Sequence, residues 1–163
     1  MLNSKLAQKL YDKTSDIYNR RYRSIQFEKY TLALKNVQLS GKILDLGAGT
    51  GLLSKFLNKN LISIDIAKKM LLKSDSKNIL GDISKLPFKD KSFDIVLSFS
   101  VLMNSSNPQK TIDEVYRILK PNGIFVVTYL KSFDFTNDLQ RKFKIKENID
   151  CNEDICFVLY PDK

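Results

Sequence analysis

The residues of this chain best suited to chemistry lie in a run of seven, Asp45-Leu46-Gly47-Ala48-Gly49-Thr50-Gly51, and in two acid–isoleucine pairs, Asp65-Ile66 and Asp82-Ile83. Glycines at alternate positions let a bound molecule approach the main chain, and a helix start behind them favours polar or anionic groups. A dinucleotide fingerprint reads Gly-x-Gly-x-x-Gly with an acid about 20 residues later. Here Leu52 takes the place of the third glycine, which weakens the pyrophosphate reading without excluding it. A P-loop needs Gly-Lys-Ser/Thr after its glycines, and none follows here. An NAD(P)-dependent oxidoreductase therefore stands as the less favoured enzyme class. The chain has no histidine, so His-based triads and His metal sites are excluded. Any general base must be Asp, Glu, Tyr or Lys.

To bring these groups together, short strands must deliver them to one edge of a sheet. Ile43-Leu44-Asp45-Leu46 reads as a buried strand, Leu61-Ile62-Ser63-Ile64-Asp65 as a second, and Asn78-Ile79-Leu80 as a third. Residues 93–99 and 124–129 read as a fourth and fifth, rich in β-branched side chains. Amphipathic segments alternate with them: Leu52, Leu53, Phe56 and Leu57 on one stripe, then residues 67–74, then Ile112, Val115, Tyr116 and Leu119. That rhythm predicts an α/β fold whose parallel strands are joined by right-handed crossovers, with helices on both faces. A short helix around 137–142 and strands near 144–147 and 155–160 predict an antiparallel hairpin at one edge, seven strands in all. Before the sheet, Leu2, Leu6, Leu10 and Ile17, then Phe27, Tyr30, Leu34 and Val37, predict two helices, the second ended by Ser40-Gly41. The whole reads as one domain, 1–163, with a helical lid over 1–40 and a Rossmann-like core over 41–163.

The Asp-x-Gly-x-Gly-x-Gly run closing the first strand resembles motif I of the class I S-adenosylmethionine-dependent methyltransferases. The similarity continues in order over residues 42–130. Leu86-Pro87-Phe88 with Ser92-Phe93-Asp94-Ile95-Val96, then Leu119-Lys120-Pro121-Asn122-Gly123, is similar to the branch of ubiquinone and menaquinone C-methyltransferases. Tyr11-Asp12 and Tyr18 look like that branch's lid. The resemblance implies S-adenosylmethionine as cofactor, with Asp65 on the ribose hydroxyls and Asp82 near the adenine amino group. Gly47, Ala48, Gly49 and Gly51 would lie against its methionine and ribose portions, and Asp45 would accept from its ammonium. Ile66 and Ile83 are placed either to sandwich the adenine or simply to pack in the core. Ser98 and Phe99 would border the sulfonium. Tyr11, Tyr18, Arg20, Arg21 and Tyr129 are the candidates for the acceptor side, and no catalytic base is assigned.

Several departures narrow the acceptor. Ser98-Phe99-Ser100-Val101 stands where amino-methylating relatives carry Asn/Asp-Pro-Pro-Tyr/Phe, and Cys151 and Cys156 come too late to be a cytosine-methylating nucleophile. Asn104 stands where many quinone-branch relatives have histidine. The net charge is +9, and residues 1–40 contribute more than half of it, including Arg20, Arg21 and Arg23. Such a cluster is either a solvated helix face or a phosphate-binding footprint, so RNA and a small metabolite both remain acceptors. The strand at 78–80 is an open edge along which a small activator protein, as in some relatives, would add. A degenerate binding subunit is the non-enzymatic alternative. No run is long and apolar enough to span a membrane and no secretory signal is read, so a cytoplasmic protein is expected.

Overall fold

A computed structural model describes residues 4–163. The elements run α1 (Ser4–Leu34), β1 (Ile43–Leu46), α2 (Leu52–Leu57), β2 (Ile62–Asp65), α3 (Lys68–Leu71), β3 (Lys77–Leu80), β4 (Phe93–Phe99), α4 (Pro108–Ile118), β5 (Leu119–Leu130), α5 (Thr136–Gln140), β6 (Phe143–Cys151) and β7 (Asp154–Pro161). The seven strands form one sheet in the order β3-β2-β1-β4-β5-β7-β6. The first five are parallel, while β7 runs antiparallel to β5 and to β6. The strand order reverses at β1, so the crevice at the carboxyl ends of β1 and β4 is where such sheets bind ligands.

All four residues of β1 are buried, as expected of a central strand covered on both faces. Alternation then sorts the side chains. Leu44, Leu46, Val96, Phe125, Val127 and Tyr129 pack with Ile112, Val115 and Ile118 of α4. Ile43, Ile95, Leu97, Phe99, Val126 and Val158 pack with Tyr30, Ala33 and Leu34 of α1. Asp45 shares the face of Ile43 by the period of two, and therefore looks toward α1.

The N-terminal helix corrects one expectation. Instead of two helices ended at Ser40-Gly41, α1 is a single helix of 31 residues. No proline or glycine interrupts residues 4–34, so nothing breaks its hydrogen-bond ladder. Gly41 does adopt a left-handed conformation (φ 76°), but it turns the chain into β1, where Lys42 N–H donates to Asp94 at 2.8 Å. The break in apolar spacing marks a change of neighbours. The carboxyl half of α1 packs on the sheet, whereas Leu6, Leu10 and Ile17 stay exposed. Leu2, counted in the first stripe, lies outside the described residues. The Leu119-Lys120-Pro121-Asn122-Gly123 turn opens β5 as an irregular stretch, four residues of β5 facing one of β4 between the Phe93–Leu119 and Ile95–Ile124 pairs. Among the described residues no helix is long and apolar enough to cross a membrane.

Candidate active site

The carboxyl ends of β1, β2 and β4, together with the turn after β3, open on the α1 side into a cavity of about 500 Å³. Gly47 and Gly49 form its floor, with Asp65-Ile66 after β2 and Asp82-Ile83 after β3 along one wall. Phe99, Ser100 and Asn104 form the opposite wall, and Tyr11, Tyr18, Arg21 and Tyr22 of α1 make the roof. Asp65 fixes the glycine loop: its carboxylate accepts from Gly49 N–H and from Ala67 N–H, each at 2.8 Å. Burial raises its pKa above the usual carboxylate range, against the pull of these backbone donors. Asp82 accepts from the Ser84 N–H and hydroxyl through one oxygen, both at 2.8 Å.

Asp45 is only 3% exposed. It lies in a side chamber of about 30 Å³ with Ala48, Tyr30 and Thr50, and Gln26, Gly47, Gly49, Tyr18 and Phe99 belong to both spaces. One oxygen of Asp45 and the carbonyl oxygen of Gln26 are buried without hydrogen-bond partners. Burial, and secondarily the charge of Asp65, pushes the Asp45 pKa up to about 8.

The roof is held by aromatic and polar contacts. Tyr11 stands edge-on to Tyr18 at 6.4 Å and its hydroxyl accepts from Asn104 at 3.0 Å. Tyr18 packs on Tyr22 at 4.9 Å. Burial pushes the Tyr11 and Tyr18 hydroxyls above the ordinary tyrosine range, so both keep their protons near neutrality and neither is a base. Asp12 on α1 accepts from Lys69 N–H of α3 at 3.0 Å. Deeper along α1, Lys29 is 2.9 Å from Asp154 at the start of β7, with side chains 9% and 2% exposed. The Ser100 hydroxyl sits between them, accepting from Lys29 and donating to Asp154, each at 2.6 Å.

Four sequence candidates sit elsewhere. Ser98 and Tyr129 lie near the strand ends, but alternation turns them to the other sheet face. There Ser98 is buried and Tyr129 packs on Phe135 and Phe157. Gly51 does not line the cavity; a Cβ there would meet the Ser74 side chain. Arg20 lies in a separate groove with Asn19, Arg23 and Phe27, so the arginine cluster is split and Arg21 reaches the cavity without Arg20. Sequence reading missed Gln26, Lys29, Ser100 and Asp154. Gln26 was within reach, since Tyr18, Tyr22 and Gln26 recur every four residues on one helix stripe.

Residues 44–127, more than half of the chain, match the methyltransferase domain family. The chain belongs to that family. It is a class I domain, and the cofactor of this class is S-adenosylmethionine. The domain is 32% identical to the uncharacterized protein MJ1252 of Methanocaldococcus jannaschii over 85% of this chain and 59% of that protein. It is 31% identical to the ubiquinone/menaquinone biosynthesis C-methyltransferase UbiE of Burkholderia mallei over 66% of this chain and 51% of that enzyme. The chain thus spans little more than half the length of these relatives. Its fold also matches the protein that accompanies the Trm112 methyltransferase activator in a Haloferax volcanii complex. That match has a TM-score of 0.74 at 17% identity and covers 94% of this chain and 98% of the other.

Proposed function

We propose that this domain, with α1 as lid over the sheet, transfers the methyl group of S-adenosylmethionine to a small, largely apolar acceptor. The observation that carries the reading is the convergence of Asp65, Asp82 and the glycine loop on one cavity beside the buried Asp45 chamber. These residues fit the cofactor chemically. Asp65 has lone pairs left for two hydroxyls after its backbone bonds, and the second oxygen of Asp82 is free for an amino group. Ile66 and Ile83 give apolar walls beside the two acids for a flat ring. Asp45 faces the methionine end with an unpaired acceptor. The cofactor supplies an already activated methyl group, so the work left to the protein is alignment and exclusion of water. Phe99 ends β4 and Ser100 follows it where the acceptor must approach, and Tyr11 and Tyr18 close the roof over it.

Calorimetric titration with S-adenosylmethionine tests the reading. One saturable site is expected, and Asp65→Ala is expected to weaken it on the order of tenfold or more, since a charge-assisted hydrogen bond is worth about 1.5–3 kcal/mol. Heat-free titrations of both proteins would sink it. Retention of Asp45, Asp65 and Asp82 in place argues against a degenerate binding subunit. The enclosed, aromatic roof and the outward Arg20 favour a small molecule over RNA. With methyl-labelled cofactor and fractionated extract, label is expected in small molecules; label in RNA instead would reverse that choice.

A partner protein along β3 is the second reading. The β3 edge opposite β2 is unpaired among the described residues, and Leu72 and Leu80 beside it are 75% and 57% exposed. Such an edge fits strand addition, and the Haloferax neighbour is complexed with an activator. Both cysteines are free, which suits a reducing, cytoplasmic setting.

A further inference from the structure

We infer that the Ser100 hydroxyl, clamped by the buried Lys29–Asp154 pair, is the residue that grips the methyl acceptor. The acceptor then carries an O–H or N–H on the atom that takes the methyl, or on the atom next to it. This rests on the methyl-transfer reading above and goes beyond it in naming the contact and the substrate class.

The main cavity runs across the strand ends from Asp82, after β3, to Leu130, the last residue of β5. In the order β3-β2-β1-β4-β5 that is four strand spacings, about 19 Å. The acids and glycines that fit the cofactor occupy the β3-β2-β1 end. The β4–β5 end, with Ser100 and Leu130, is left for the acceptor. Lys29 and Asp154 stand behind that end without lining it, and Asp154 is the cross-strand partner of Leu130. Both lie outside residues 44–127, which carry the family match, so the clamp comes from α1 and β7 of this chain and not from the family signature.

Ser100 is held in a conformation that its own Cβ disfavours. Its φ is 59°, and its N–H donates to the carbonyl and the hydroxyl of Thr128, each at 3.0 Å. Strain of this kind persists only where the surroundings over-determine it, and a buried ion pair is a poor source of stability by itself. Together they fix one hydroxyl. Its oxygen accepts from Lys29 and its proton goes to Asp154, both at 2.6 Å. A hydroxyl has one proton and two lone pairs, so a single lone pair remains. Ser100 can therefore only accept, and whatever it holds must donate. A chain from the acceptor through Ser100 ends on a carboxylate, so its bonds polarise one another and enrich the reacting atom in electron density. One polar handle suits an acceptor that is otherwise apolar.

The experiment measures label transfer from methyl-labelled S-adenosylmethionine to the small-molecule fraction of a cell extract, with calorimetric titration of the cofactor alongside. Ser100→Gly removes the hydroxyl and relieves the backbone, since glycine takes a φ of 59° freely. It is expected to bind the cofactor within about twofold of the unaltered protein, which shows that it is folded, and to transfer label on the order of tenfold to a hundredfold more slowly. Lys29→Met with Asp154→Leu removes the clamp and keeps Ser100. Its transfer is expected to stay down on the order of tenfold even where its stability and cofactor binding are normal, an outcome that a merely structural pair would not produce. The labelled product, identified by mass spectrometry and NMR, is expected to derive from a hydroxyl- or amine-bearing parent. Normal transfer by either variant, or a parent without an O–H or N–H at or beside the methylated atom, overturns the inference and spares the methyl-transfer reading. Cofactor binding with no label in small molecules overturns the inference together with the small-acceptor reading. No cofactor binding by the unaltered protein overturns the whole.

Discussion

Replacing Lys29 by Met is expected to lower the unfolding free energy by about 3 kcal/mol or more, the loss typical of removing one partner from a buried ion pair. The Lys29 and Asp154 side chains are 9% and 2% exposed and meet at 2.9 Å, so the lost partner leaves a carboxylate out of reach of bulk water. Its remaining donor is the Ser100 hydroxyl at 2.6 Å, one neutral bond in place of a charge. Unfolding in urea of Lys29→Met, and of Lys29→Met with Asp154→Leu, checks the argument. The double variant is expected to recover most of the loss, because two packed apolar groups need no partner. Because natural domains hold only about 5–15 kcal/mol in reserve, the single variant should also denature at visibly lower urea. A single-variant loss below about 1 kcal/mol would show that water reaches the pair.

Gly47→Ala is expected to cost about 2–4 kcal/mol and to lower the melting temperature on the order of 10 °C. Two penalties add. Gly47 has φ 75°, a left-handed conformation that a Cβ disfavours, and that Cβ would sit 2.4 Å from both methyls of Val101. The loop cannot slide away freely, since Gly47 N–H and Ala48 N–H both donate to the Ile64 carbonyl, at 2.8 and 3.1 Å. Adding Val101→Ala should remove the collision and leave the conformational penalty, so thermal melts of the two variants separate the terms. Equal melting of single and double variants would mean that Val101 gives way at no cost. Gly47 borders both the main cavity and the Asp45 chamber, so cofactor binding should weaken alongside stability.

The parts of this molecule legible in its sequence are those written locally. Asp45 and the glycines, Asp65 and Asp82 each follow a short apolar run, and a strand end is where such a run must stop. The parallel order of β1 to β5 followed from the same runs and the helices between them. Ser98 and Tyr129 were misplaced because nearness to a strand end says nothing of which face a side chain takes. The period of two decides that, and it gives the α1 face to Phe99 and Thr128 rather than to their neighbours. In α1 a shift of the apolar stripe was read as a break, when it records that one half covers a cavity and the other half a core. The Lys29–Asp154 pair left no trace in the sequence, because 125 positions separate residues that only the assembled fold brings together.

An uninterrupted α1 also constrains how the roof over the cavity can lift. With no glycine or proline to bend at, the helix would move as a lever, with Lys29 and Tyr30 as its fulcrum. Tyr11 lies 18 residues away, about 27 Å along the axis at 1.5 Å per residue, so a tilt of about 10° carries it about 5 Å. That one swing would part Tyr11 from Asn104 and Asp12 from α3 together, while the aromatic contacts near the fulcrum hardly shift. Such a tilt would therefore open the cavity at one end, beside Tyr11, where Leu10 and Asn104 also line it.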